Sequence, residues 1–184
     1  MLSSVMHFAA KNNSGFGDTA AQFRVYLANR PPMTEYAHLD TTYALQRGEI
    51  ELINKNCGNG WRKVFNVYAK LLFALDPKQF AYCRQADSWQ QFRDSVLLQE
   101  GSNTALRFDM PDLPAGAKTV HIIAGRTHAK ALLEQGLPVH LTWLTPEFAV
   151  DKANRLLVCP YFDYRQLNNE KIGILAGLIK ALDD

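Results

Sequence analysis

Three short stretches of this 184-residue chain combine residue types that do chemistry. The first, Gly125-Arg126-Thr127-His128, follows the apolar run Thr119–Ala124 and opens a helical pattern that ends near Gln135. A strand that turns through glycine into a helix leaves unpaired N–H groups and a partial positive charge at the helix start, where an anion can dock. Gly125, Arg126 and Thr127 are therefore candidate ligand-binding residues, and His128 beside them is a candidate catalytic residue. The plainer reading is a turn glycine beside a solvated arginine, because neither GxGxxG nor Walker spacing is present.

The second stretch is Cys159-Pro160-Tyr161-Phe162-Asp163-Tyr164-Arg165. A cysteine nucleophile needs a cation to lower its thiol pKa, and Arg165, His128 and His140 are the partners the chain offers Cys159. Asp163 is the other candidate catalytic group. Tyr161, Phe162, Tyr164 and Arg165 could stack on a base and pair with a phosphate. Against these stand a small buried thiol and aromatics folded back onto the core. The third stretch, Asn29-Arg30 before Pro31-Pro32, could supply orienting hydrogen bonds. His7, His38, His121, His128 and His140 show no HxH or HExxH spacing, so neither a metal nor another cofactor is expected.

The elements that must position these residues follow from periodicity. Phe23–Ala28 (FRVYLA) predicts a strand stopped by two prolines. Asp40–Asn54 predicts a helix with Asp40, Thr41 or Thr42 as N-cap. Trp61–Leu75 is the strongest helical pattern, with Trp61, Val64, Phe65, Tyr68, Leu71, Leu72 and Leu75 on one face. Asp87–Gln99 reads as another amphipathic helix, and Glu100–Lys118 as a long connection with a short strand at Ala105–Phe108. Strand Thr119–Ala124 then leads through Gly125 into a helix stopped by Gly136. Val139–Leu144 alternates as a strand, Thr145-Pro146-Glu147 suggests a helical turn, and Arg155–Cys159 (RLLVC) reads as a strand buried on both faces. Asn168 or Asn169 caps a closing helix, Lys171–Leu182.

This order predicts an α/β fold: a three-layer sandwich with a mostly parallel central sheet of about four strands flanked by helices. Residues 1–184 read as a single domain, with residues 1–22 loosely ordered. In such sheets ligands bind beyond the carboxyl ends of the strands, which is where all three chemical stretches fall.

Bulk properties narrow the function classes. The apolar share is 47%, the charged share 21%, and the net charge of +2 is too small to argue by itself for a nucleic-acid surface. Three cysteines with no CxxC pair suit a reducing cytoplasm, the expected location. The opening residues lack a basic segment leading into a sustained apolar core, so no signal peptide is expected. No apolar run approaches the roughly 20 residues of a membrane-spanning helix, and no membrane partner is expected.

Taken together, VHIIAGRTHAKALLEQG (Val120–Gly136), RLLVCPYFDYRQLN (Arg155–Asn168) and VYLANRPP (Val25–Pro32) resemble segments of the uracil-DNA glycosylase superfamily. The first is similar to its strand-Gly-helix segment and the second to its last core strand with a His-Pro-Ser-like loop. The third is similar to its first strand and water-activating loop, and Asn59–Leu75 to the helix that follows. The family's catalytic residues do not carry over. Cys159 stands at the loop histidine's position before the matching Pro160, and Asn29 and Arg30 stand outside a Gly-rich frame. The chain also resembles small families of uncharacterised bacterial proteins.

The resemblance implies a glycosylase-like fold without glycosylase activity, binding a nucleotide-like or small anionic ligand at the strand ends through Asn29, Arg30, Gly125, Arg126, Thr127, Tyr161 and Arg165. Alternatives are a hydrolase or transferase using Cys159 or Asp163, or a non-catalytic interaction protein using Trp89 or Trp143. Oligomeric state has no signature in the sequence.

Overall fold

The strongest apolar runs become the inner strands of a sheet covered on both faces. The computed structural model describes residues 14–81, 86–113 and 118–184. Its strands are β1 (Gly15–Gly17), β2 (Phe23–Tyr26), β3 (Thr42–Tyr43), β4 (Thr104–Arg107), β5 (Val120–Ala124), β6 (Thr142–Trp143), β7 (Ala149–Asp151) and β8 (Leu156–Cys159). They form one sheet in the order β3-β1-β4-β2-β5-β8-β7-β6.

This sheet is mixed and has eight strands, which corrects the expectation of a mostly parallel sheet of about four. The inner strands β4, β2, β5 and β8 do run parallel. Beyond them, β1 lies antiparallel to β4, β7 to β8 and β6 to β7, while β3 runs parallel to β1. The added strands are two or three residues long, too short to carry a readable alternation. The inner strands FRVY, TALR, VHIIA and LLVC are buried at every position, as sheets covered on both faces require.

The helices are α1 (Thr34–Ala37), α2 (Glu49–Cys57), α3 (Asn59–Ala74), α4 (Trp89–Ser95), α5 (Arg126–Glu134) and α6 (Asn169–Lys180). On one face, the expected stripe of α3 packs with Ile172, Leu175 and Ile179 of α6 against Phe23, Val25, Leu106, Ile122 and Leu157. Tyr68 of α3 also donates its hydroxyl to the Ala105 carbonyl at 2.8 Å, tying that helix to β4. On the other face, Ala129 and Leu132 of α5 cover Tyr26, Ile123, Leu156 and Val158. Asn168 caps α6 by accepting from the Lys171 N–H at 3.0 Å, and Ser88 caps α4 in the same way.

Several boundaries move. The helix expected over Asp40–Asn54 begins only at Glu49, because Gly48 is left-handed (φ +89°) and Thr42–Tyr43 pairs with β1. The Asp87–Gln99 helix is restricted to α4, and Leu98 takes φ +60° beyond it. Of Val139–Leu144 only Thr142–Trp143 pairs, and Thr145-Pro146-Glu147 is the tip of the β6–β7 hairpin instead of a helical turn. There the Thr145 hydroxyl accepts from the N–H groups of Glu147 and Phe148, both at 3.1 Å.

Residues 14–22, expected to be loose, contain the buried strand β1. A Cβ on Gly15 would stand 2.3 Å from the Leu106 carbonyl oxygen, so only glycine permits this approach. Residues 1–13 lie outside the described residues. Among the described residues no helix is long and apolar enough to cross a membrane.

Candidate functional site

The order of the parallel strands decides where a crevice opens. The chain leaves β2 towards β4 on one side and leaves β5 towards β8 on the other, although β2 and β5 are neighbours. Loops that diverge from adjacent strand ends leave a gap between them, the usual ligand position in open α/β sheets. A cavity of about 620 Å³ occupies this place. It is lined from the β2 end by Ala28 and Asn29, from the β5 end by Gly125 to His128, and from the β8 end by Pro160, Tyr161 and Gln166. Pro146 and Glu147, from the β6–β7 hairpin tip, complete the wall.

The three sequence stretches thus meet, though not all their residues do. Asn29, Gly125, Arg126, Thr127, His128 and Tyr161 line the cavity. Arg30 does not. Its guanidinium donates to the carbonyls of Tyr36, Ala37 and Leu39 at 3.0, 3.3 and 3.2 Å and lies over the Phe108 ring, so it closes the end of α1. Cys159 is fully buried in the core on the α3 side. Burial pushes its thiol pKa far up, so it stays protonated and non-nucleophilic at neutral pH.

Asp163 and Arg165 pair with each other at 2.7 Å, and Lys63 approaches the same carboxylate at 3.6 Å. The Arg165 hydrogen bond holds the Asp163 pKa down at about 2, which suits an ion-pair anchor and not a proton donor. Phe162 is buried core, whereas Tyr164 points away from the cavity and is exposed. Of the other histidines placed on strands, His121 is buried and His140 is exposed.

The charged groups lining the cavity come from α5 and from the β6–β7 hairpin. Among the described residues no side chain caps the start of α5, where Gly125 holds φ +102°, so the first-turn N–H groups and the dipole border the cavity. Arg126 lies across the mouth, 5.3 Å from the Trp143 ring centroid and donating to the Pro146 carbonyl at 3.3 Å. Lys171 meets both Glu147 carboxylate oxygens at 2.8 Å, which offsets the one acidic side chain that the described residues bring to this wall. His128 Nε2 is shielded from solvent with no hydrogen-bond partner among the described residues. Desolvation lowers the His128 pKa, so the ring is neutral at pH 7 and able to donate or accept one hydrogen bond.

Sequence reasoning missed Glu147 and Gln166. Gln166 lay one residue past the second chemical stretch, in a turn closed by its N–H to the Asp163 carbonyl at 2.8 Å, whose orientation leaves no pattern in the sequence. Glu147 had no signal, since its place depends on a hairpin that the pattern suggested as a helical turn.

Fold and site together define an α/β protein with a crevice at the carboxyl edge of its sheet, walled in part by the start of α5. Residues 14–180 match a family of unknown function (DUF6942), and the chain belongs to that family. No curated protein and no solved structure matches it, so the glycosylase resemblance gains no support from those comparisons.

Proposed function

We propose that this protein binds a small anionic, nucleotide-like ligand in the crevice between the β2 and β5 ends. The observation that carries the reading is the meeting of three loops, distant in sequence, around one cavity with an uncapped helix start on its wall. The N–H groups of α5 and Arg126 take the anionic group. Asn29, Gln166 and the neutral His128 offer hydrogen bonds to a polar heterocycle, and Tyr161 offers a ring face. The glycosylase resemblance supports the location of this site and nothing of its chemistry. The proposed role is binding without glycosylase activity: Cys159, at the position the resemblance gives to the loop histidine, is sealed in the core.

Thermal unfolding with inorganic phosphate, nucleoside mono-, di- and triphosphates and free nucleobases tests the reading. A ligand at 100 times its Kd stabilises the fold by about 2.7 kcal/mol. Thr127→Glu is the matched control: Thr127 is exposed in the first turn of α5, where a carboxylate suits the dipole but repels a bound anion. The expected result is a shift with a phosphate-bearing compound that Thr127→Glu abolishes. No shift across the panel, or one unchanged in the variant, overturns the proposal. Release of uracil from uracil-containing DNA overturns the inactivity.

A further inference from the structure

Arg62, Lys63, Asn66 and Lys70 fall on one face of α3 and are not among the residues lining the crevice. With Tyr164 they line a separate groove of about 270 Å³, and among the described residues no acidic side chain lines it. The three basic residues come from the one helix, and the β8–α6 loop adds Tyr164 beside them. Arg62 has no ion-pair partner among the described residues. Asn66 accepts from Arg93 at 2.8 Å, the other edge of that guanidinium being paired with Asp94.

Aromatic rings stand at both ends of this stripe. Tyr164 is 57% exposed, with Lys63 at 5.5 Å from its centroid. Trp89 is half-buried, with Lys70 at 5.0 Å and Arg93 at 5.4 Å. Acidic groups lie close but engaged: Asp163 is held by Arg165 and Lys63, and Asp94 by Arg93. Glu51 and Asp94 border the neighbouring hollow on the far side of Arg62.

Cations along a groove interleaved with ring faces suit a chain whose phosphates are spaced by stackable bases. An acidic peptide would use the cations and gain little from the rings. A duplex would offer phosphates while keeping its bases stacked inside. From Arg62 to Lys70 the helix rises about 12 Å, room for a few nucleotides.

We infer that the exposed face of α3, from Arg62 to Lys70 with Tyr164, is a docking strip for single-stranded nucleic acid. It acts independently of the crevice ligand, since no residue of the strip lines that cavity.

Fluorescence anisotropy with a labelled oligothymidylate of about 12 nucleotides, from about 50 to 200 mM salt, tests the strip. Three cations on phosphates give a slope of log K against log salt near about −2, at roughly −0.7 per phosphate on single strands. Arg62→Ala with Lys70→Ala flattens the slope by about 1.4 and weakens binding at least tenfold at the low salt, while melting temperature holds. Tyr164→Ala weakens binding about fivefold or more with the slope unchanged. Thr127→Glu, in the crevice, leaves oligonucleotide affinity as it was, so failure of one site is distinguishable from failure of the other. Absence of binding at the low salt overturns the inference, as does wild-type affinity in the folded double variant. Equal affinity for a duplex of the same length, or displacement by polyglutamate at equal charge, overturns the assignment to single strands.

Discussion

Tyr26 Oη and His121 Nδ1 share a hydrogen bond of 2.7 Å across the neighbouring strands β2 and β5, with the two rings stacked at 5.8 Å. Both side chains are buried on the face that α5 covers. Burial, reinforced by Arg24, Arg107 and Arg155, lowers the His121 pKa from 6.5 to about 4. The pair is therefore a neutral hydrogen bond at the centre of the sheet.

That pairing sets an acid limit on the fold. Between pH 6.5 and about 4 the unfolded chain takes up a proton at His121 and the folded chain does not. Stability is therefore complete above pH 6.5 and falls as the pH drops towards 4, by roughly 3 kcal/mol in full. His128, also lowered by burial, acts in the same direction as the pH falls. His121→Asn keeps a polar group near Nδ1 but cannot titrate. Its urea midpoint will fall less than the wild type's between pH 6.5 and 4.5, and equal falls would rule out His121 as the source.

Gly125 and Gly173 separate backbone strain from crowding, because an added Cβ meets nothing within 4 Å at either position. Gly125 sits at φ +102°, ψ +131°, a conformation that side chains avoid, and Gly125→Ala will cost about 1–3 kcal/mol. Gly173 lies inside α6 with no positive φ, so Gly173→Ala will stabilise by about 0.5–1 kcal/mol. Urea unfolding of the two variants should move in opposite directions.

Legibility in the sequence followed segment length and the number of buried faces. The α3 stripe from Trp61 to Leu72 and the run from Val120 through Gly125 to Glu134 each carried two or more turns of pattern, and both formed where expected. Gly15–Gly17 fell within the segment read as loosely ordered, yet its glycines mark backbone passing against β4. Arg24 and Arg107 are buried within strands, so an alternation of polar and apolar residues did not report the sheet's faces. Asn29 and Gly125–His128 were readable as strand-end loops. Arg30, a residue away, was not, since its partners are carbonyls six to nine residues further on.

Cys159 and Cys57 should differ sharply in reactivity. Cys159 is fully buried and its sulfhydryl approaches the Pro160 carbonyl at 3.3 Å, whereas Cys57 is half-exposed at the end of α2. Burial raises both thiol pKa values, and far more at Cys159. Iodoacetamide labelling resolved by peptide mass spectrometry at pH 7.5 will modify Cys57 first and Cys159 only at the rate of opening of the core. Fast labelling of Cys159 in the folded protein would restore the thiolate reading. Cys159→Ala should keep ligand binding and cost about 1 kcal/mol.

Arg126 and Lys171 hold the β6–β7 hairpin over the crevice by independent contacts, one on Trp143 and Pro146 and the other on Glu147. Both pairs are solvent-exposed, so each is worth less than about 1 kcal/mol to global stability. Their effect is local, because the hairpin's tip otherwise depends on short backbone bonds such as Leu144 N–H to the Phe148 carbonyl at 2.9 Å. Arg126→Ala and Lys171→Ala should each speed hydrogen exchange at the Leu144 amide while leaving β5 and β8 protected. Because both tethers restrain one short segment, the double variant should exceed the sum of the single effects. Unchanged exchange at Leu144 in the double variant would show that the hairpin keeps its position over the crevice through β7 alone.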